Sequence, residues 1–189
     1  GGKQEGLIEE FYENGQLKSR HRQDVKNGQT HGLFESFREN GVPLFKINSI
    51  DGVKSGLFES FSPNGQRKTL TTYNKDKRDG INIVWNYRND KDTILFSVVL
   101  EYYKQGVQNG LSLYNQYDEN GIPKFINCRR YRNGKDSYDD DIYKKIDDYQ
   151  EDSNFEKALE LCLSEYQNDK SVDILWRLAR SYFDLADQT

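Results

Sequence analysis

Two cysteines, Cys128 and Cys162, and two histidines, His21 and His31, are the side chains best able to act as nucleophile, base or soft metal ligand. A thiol nucleophile needs a base within hydrogen-bond reach, and neither cysteine has a histidine near it in sequence. Cys162 falls on an apolar helical face, where a thiol packs rather than reacts. The histidines fall in irregular return segments and read as solvated. There is no C-x-x-C and no H-x-x-x-H, the spacings that bring ligands onto one metal. Asp139-Asp140-Asp141 lacks the spacing of a calcium loop. Placed before a helix, it favours the positive end of the helix dipole. No G-x-S-x-G, Walker or G-x-G-x-x-G element occurs; the glycines are taken up in turns. These absences point away from an enzyme. They imply no cofactor, no metal and no small-molecule substrate.

What remains is contact chemistry. Cys128 to Lys135, CRRYRNGK, is the one dense basic cluster that contains an aromatic. Arg129, Arg130, Arg132 and Lys135 would suit a phosphate or an anionic lipid head group. Against this, strand alternation would spread the arginines over both faces, and a solvated edge, or pairing with Asp139-Asp140-Asp141, is the weightier reading. Glu9, Glu35 and Glu59 share one position in three related segments. Stacking would line them up as carboxylates for a cation or a basic partner. The plainer expectation is that neighbouring Lys and Arg neutralise each one, or that each bonds a turn amide.

The elements that must position these groups are repeats. GLIEEFYENG begins at Gly6, GLFESFRENG at Gly32 and GLFESFSPNG at Gly56; looser copies begin at Gly80 and Gly110. In the second copy Leu33, Glu35 and Phe37 alternate with Phe34, Ser36 and Arg38, the period of a strand. Asn40-Gly41 follows and suits a two-residue type I′ turn, with a return strand from Val42 to about Ile50. Each repeat is therefore a β-hairpin. A lone hairpin is marginal in water, so each must bury apolar surface on its neighbour. A two-residue turn sets Glu9 opposite Arg20, Phe11 opposite Lys18 and Glu35 opposite Lys46. The leading glycine marks a tight corner where a Cβ would clash. In the last two copies the leading glycine stands seven rather than five residues before the aromatic. That insertion of two preserves the side-chain phase. Trp85 reads as core, and Ile94, Phe96, Val98, Leu100 and Tyr102 share one phase in a central buried strand.

This pattern resembles the MORN-repeat variant, G-x-x-x-x-[FY]-x-x-[NDG]-G followed by a return strand, over about residues 6–136. Tyr73, Tyr103 and Tyr131 precede Gly80, Gly110 and Gly134 in the expected manner. Asp90-Lys91 departs from the pattern, standing where Asn-Gly should be. The resemblance implies an interaction module, and such proteins are often grouped with antitoxins or proposed to bind membrane lipid.

From Ser137 glycine disappears and the apolar spacing becomes helical. Phe155, Ala158, Leu159, Cys162, Leu163 and Tyr166 follow i, i+3, i+4, i+7, and residues 172–186 repeat it. Short helices of this kind resemble a tetratricopeptide-type solenoid. Residues 173–182, DILWRLARSY, are similar to the first full helix of the regulator-of-microtubule-dynamics family. Leu175, Trp176, Tyr182 and Phe183 are then candidates for a protein contact. Charge changes at the same place: residues 1–136 carry +4 and residues 137–189 carry −8.

The expected fold class is a β-hairpin repeat stack (all-β, antiparallel) followed by a short α-helical solenoid-like segment. The domains are 1–136, five hairpin repeats, and 137–189, helical. Two cysteines, one in each part, argue against a disulfide framework and for an intracellular, cytoplasmic setting. No apolar run reaches transmembrane length. The chain opens Gly1-Gly2 without Met and reads as an excised fragment. The functional expectation is a non-catalytic scaffold or protein-binding module with a protein partner and no nucleic acid, charge being too mild for the latter. Toxin neutralisation and anionic-lipid binding are the alternatives.

Overall fold

The computed structural model describes residues 6–24, 29–88, 94–121 and 123–136, together with Lys145, Asp148 and Lys157. The chain divides into two compact units, Gly1–Asp79 and Gly80–Thr189. In the first, β1 (Gly6–Phe11), β2 (Leu17–Asp24), β3 (Gln29–Phe37), β4 (Pro43–Ile50), β5 (Val53–Phe61) and β6 (Arg67–Asn74) pair antiparallel in chain order. β7 (Lys77–Tyr87) carries the chain into the second unit. There β8 (Leu95–Lys104), β9 (Val107–Tyr117), β10 (Pro123–Arg132) and β11 (Lys135–Asp136) continue the same up-and-down order. The hairpins are not separate modules laid on one another. Within each unit every return strand also pairs with the next outgoing strand, so the repeat builds a continuous meander.

Two kinds of turn alternate, and they divide the glycines differently from expectation. At the Asn-Gly ends Gly15, Gly41, Gly65 and Gly121 have positive φ, but the preceding asparagines do not. The amides of Gly15, Gly41 and Gly65 donate to the carbonyls of Tyr12, Arg38 and Ser62, three residues back. The central pair is thus Glu13-Asn14 and its equivalents, and the glycine follows as a left-handed bulge residue. Asn acts through its side chain: Asn14, Asn40 and Asn64 Oδ1 accept from the amides of Gln16, Val42 and Gln66, an Asx turn. The extra residue moves the pairing at the strand ends. Glu9 does face Arg20 and Glu35 does face Lys46, but Phe11 faces Leu17 rather than Lys18.

True two-residue turns lie at the opposite ends. Asp51-Gly52, Lys75-Asp76, Gln105-Gly106 and Asn133-Gly134 each hold both residues at positive φ, as type I′ demands. Here the second amide reaches back to the previous hairpin: Gly52 N to Thr30 O, Asp76 N to Lys54 O and Gly134 N to Gln108 O, at 2.9–3.0 Å. The Asn-Gly ends are tied by side chains instead. Tyr12 OH donates to Phe37 O at 2.8 Å and Arg38 Nη2 to Phe61 O at 3.0 Å.

Three of the leading glycines, Gly32, Gly56 and Gly110, lie in bulges, and the reason is dihedral rather than steric. Gly32 has φ +91° with nothing within 4 Å of an added Cβ. Gly56 has φ +94°, and its Cβ would sit 3.4 Å from Asn48 Cβ. In each case three residues on the outgoing strand stand across from one on the return strand. Gly110 repeats this in the second unit.

The two units bury different things. In the second, Ile83, Trp85, Val98, Leu100, Leu113 and Tyr117 are buried. At about 1.5–3 kcal/mol for each large apolar side chain, this group dominates its stability. Trp85 is core as expected, as are Val98 and Leu100. Ile94 and Phe96 are exposed: Ile94 precedes β8, and Phe96 is the extra residue where pairing with β7 steps from Ser97–Asn86 to Leu95–Tyr87. In the first unit Ile47 is the one buried apolar residue among those described. The same face carries a row of rings, His21, Phe34, Phe45, Phe58 and Tyr73, with successive centroids 5.3–6.3 Å apart. Such pairs add about 0.5–1.5 kcal/mol each beyond burial. His21 is thus strand-borne and half-buried against Phe34, not solvated.

The expected helical solenoid is not part of this fold. The described elements are eleven antiparallel strands and no helix, so the fold class is corrected to all-β. Beyond Asp136 only Lys145, Asp148 and Lys157 are described. They are isolated positions of helical backbone that make up no element. Apolar spacing of 3.6 marks which side of a helix would be buried. It does not supply the partner that stabilises a short helix. Asp90-Lys91, Cys162 and the candidates Leu175, Trp176, Tyr182 and Phe183 lie outside the described residues.

Because Gly56 holds a positive φ, Gly56→Ala destabilises by roughly 1–3 kcal/mol. Gly6→Ala, with nothing within 4 Å and no positive φ, changes stability by less than about 0.5 kcal/mol. Urea denaturation of both variants checks the contrast; equal losses would remove the dihedral argument.

Candidate functional site

The glutamates of the repeat are built into a row that crosses the first unit at right angles to its strands. The register runs Glu9–Arg20–Glu35–Lys46–Glu59–Leu70 from β1 to β6. Alternation puts Glu9, Glu35 and Glu59 on one face of the outgoing strands, and the intervening return strands supply cations. Arg20 Nε lies 2.6 Å from Glu35 Oε2 and Lys46 Nζ 3.2 Å from Glu35 Oε1. Arg67 Nη2 lies 2.7 Å from Glu59 Oε1. The row is therefore an alternation of signs, not a bare ladder of carboxylates awaiting a cation.

Glu35 is the centre of the row. Its side chain is 8% exposed and bonded from both sides. Burial pushes its carboxyl up from the ordinary 4.5, but hydrogen bonds from Arg20 and Lys46, together with their charges, outweigh that and hold it below. Arg20 is raised in turn, chiefly by its hydrogen bond to Glu35 and by that carboxylate's charge, with a smaller contribution from Glu9. The guanidinium also lies 5.9 Å from the centre of the Phe37 ring.

Flanking the charged row are apolar side chains in the same phase. Leu7, Leu33 and Leu57 stand two residues before each glutamate and are 57%, 46% and 38% exposed. Phe11, two residues after Glu9, is 58% exposed. Equivalent residues recur every second strand, roughly 9–10 Å apart. The described surface thus offers a periodic set of exposed leucines beside a charge row whose inner members are already satisfied.

The basic cluster is placed on β10 and the turn after it. Arg129, Arg132 and Lys135 are exposed, and Arg132 pairs with Lys135 across the Asn133-Gly134 turn. Arg129 and Arg132 differ in parity along one strand, so alternation directs them to opposite faces, as expected. The side chains of Arg130 and Cys128 and the acidic residues 139–141 lie outside the described residues. His31 Nδ1 is 3.7 Å from Asp51 Oδ1. Among the described residues no three of His, Cys, Asp and Glu gather as a metal site. Shallow depressions occur at an Asn-Gly end in each unit, one lined by Phe11, Tyr12, Asn14, Lys18 and Glu39, the other by Arg88, Phe96, Tyr117, Asp118 and Lys124. Neither places a nucleophile beside a base. The exposed leucines were not singled out from sequence. Their recurrence two residues before Glu9, Glu35 and Glu59 was the available signal.

The MORN repeat variant matches residues 4–21 and residues 54–75. These segments hold β1 with the start of β2, and β5 with β6, so the matches and the hairpin pattern together support a MORN-type repeat protein. The likeness of residues 173–182 to the regulator-of-microtubule-dynamics family finds no such support. No curated protein matches the chain.

Glu35→Gln removes the carboxylate that holds Arg20 and Lys46, costing about 1–2 kcal/mol at neutral pH, moderated because both cations are partly exposed. A carboxyl held below its ordinary value stabilises the fold above the unfolded-state value, and that contribution is lost as pH falls through the lower folded one. The native protein therefore loses this increment progressively below about pH 4.5. Urea midpoints measured from pH 7 to pH 3 should converge for the native protein and Glu35→Gln; a constant gap would refute the assignment.

Proposed function

We propose that this chain is a non-catalytic interaction module whose hairpin meander offers a protein partner a rigid docking face. One observation carries the reading: Leu7, Leu33 and Leu57 are exposed in register along one face of the first unit. Isolated exposed leucines are ordinary on protein surfaces. A set repeating at the spacing of the repeat itself is a surface that a partner can read at several points at once. The inner charges beside it are already paired, so a partner covering Glu35 would not have to neutralise a bare buried carboxylate. The alternation of signs suits a polar rim that sets orientation more than affinity. A reducing, intracellular compartment fits the two widely separated cysteines and belongs to the same proposal.

A second reading rests on Arg129, Arg132 and Lys135, which are exposed on β10, its turn and β11. Arg132 and Lys135, cross-strand partners on one face, contribute about 1 kcal/mol each near an anionic bilayer, enough for weak, salt-sensitive attachment.

Affinity capture with the native chain as bait tests the first reading, with Leu33→Asp plus Leu57→Asp as control. Both side chains are exposed, so the double variant should fold and lose the captured protein. Identical capture by both baits would sink the docking face. Sedimentation with phosphatidylserine vesicles tests the second. Arg129→Glu plus Arg132→Glu should abolish pelleting, and unchanged pelleting would eliminate the basic cluster.

A further inference from the structure

Glu101 stands on β8, an interior strand with β7 paired on one side and β9 on the other. Alternation turns it away from Leu100 and the apolar core of the second unit. Its register partners are Asn82 on β7 and Ser112 on β9, and its own side chain is half-buried.

Neutral groups hold its carboxylate. Asn82 Nδ2 donates to Oε2 at 2.9 Å, Tyr103 OH donates to the same oxygen at 3.2 Å, and Gln108 Nε2 donates to Oε1 at 3.3 Å. Asn82 is itself only 2% exposed. The glutamates of the first unit are treated differently: Glu35 meets Arg20 and Lys46, and Glu59 meets Arg67, all within 3.2 Å. Among the described residues no Lys or Arg lies within ion-pair distance of Glu101. Amide and phenol donors fix the direction of a carboxylate but leave its charge in place, and a half-buried charge gains from an opposite one.

The acceptor positions decide which cation fits. Each carboxylate oxygen offers about two lone-pair sites. Oε2 already takes two donors, whereas Oε1 takes one. A guanidinium binds a carboxylate through two parallel bonds, one to each oxygen, and Oε2 has no place for its share. An ammonium is a compact charge that needs one oxygen only. Ser112 Oγ, opposite on β9, can accept another of its donors. Val99 and Tyr103 lie two residues to either side of Glu101 on the same face. They offer apolar surface to a methylene stem and a ring to the cation.

We propose that Glu101 is the centre of a recognition site for a lysine side chain of a protein partner. The ammonium binds Oε1 and Ser112 Oγ, and the stem lies along Val99 and Tyr103. Asn82, Gln108 and the Tyr103 hydroxyl are positioning groups that keep the carboxylate aimed. The site belongs to the second unit and the leucine surface to the first, so this inference stands or falls separately from the docking reading above.

The test titrates the full chain with N-acetyl-lysine methylamide and follows the amide resonances of Glu101 to Tyr103 and the side-chain amide of Gln108. The arginine and norleucine counterparts of the probe are run beside it. The lysine probe should shift these resonances saturably, and the other two should bind markedly more weakly. Glu101→Gln should lower affinity for the lysine probe at least about tenfold, the loss of one charged hydrogen bond. Its unfolding midpoint reports whether it folds. Ser112→Lys places an ammonium on the register neighbour of Glu101; it should raise the unfolding midpoint and abolish probe binding, a result that does not depend on Glu101→Gln folding. Glu119→Gln, which removes a carboxylate from an exposed turn of the same unit, should bind the probe like the native chain. Absence of shifts at tens of millimolar lysine probe would overturn the proposal. So would equal affinity for the arginine or norleucine probe, or undiminished binding to Ser112→Lys.

Discussion

Parity governs the first unit. Side chains alternate between faces, so any irregularity that displaces pairing by an odd number of residues turns a strand over. At Gly32 and Gly56 three residues face one, and the register on either side of the bulge differs by two. Faces are therefore preserved. Only for that reason do Glu9, Glu35 and Glu59 fall on the side where Arg20 and Lys46 arrive, while Phe34 and Phe58 join Phe45 on the other. Positive φ at the glycine is what permits the bulge. A residue with a Cβ is strained at that dihedral, so glycine is what holds the bulge in place.

The two units solve the same problem with different materials. A thin sheet buries little, and the first unit has one buried aliphatic among its described residues. It relies on half-buried rings and on a carboxylate satisfied from two directions. Ion pairs at such partly exposed sites are individually weak. Their use here is to specify register: a slip of two residues would set Glu35 opposite Leu44 or Asn48 and leave a buried charge unmet. The second unit has longer strands, with two extra residues in each of β7 and β9, and they carry the aliphatic core. Length, in this repeat, is the means by which a hairpin acquires an interior.

Much of this was legible in the residues. The hairpin unit, the pairing of Glu9 with Arg20 and of Glu35 with Lys46, and the core position of Trp85 followed from period-two alternation and from turn placement. The neutralisation of Glu35 was the plainer of two readings and is what the structure contains. The turns were harder. Asn-Gly serves both a type I′ turn and a type I turn with a trailing bulge, and the dipeptide does not distinguish them. The first moves no register, whereas the second displaces Phe11 by one. Asp51-Gly52 and Asn133-Gly134 offered the I′ signal at the opposite ends, while Lys75-Asp76 offered none. Two non-glycine residues hold positive φ there because the Asp76 amide is anchored to Lys54 and its carboxylate takes the Lys54 amide. The helical reading of residues 137–189 shows the converse weakness. A face was legible, but a partner for that face is a tertiary fact that no local pattern contains.

The seams between hairpins differ at their two margins. Along one, a main-chain amide of the type I′ turns at Gly52, Asp76 and Gly134 reaches the carbonyl of the previous hairpin, a bond that any residue except proline can make. Along the other, the stitch is the tip of a particular side chain, Tyr12 or Arg38, laid on the next hairpin's carbonyl. One selvedge is indifferent to composition and the other reads it. A gene encoding such a chain could gain or lose a hairpin without inventing a new join at the first margin. Drift at the second would loosen one neighbour at a time, leaving the weave beyond it intact.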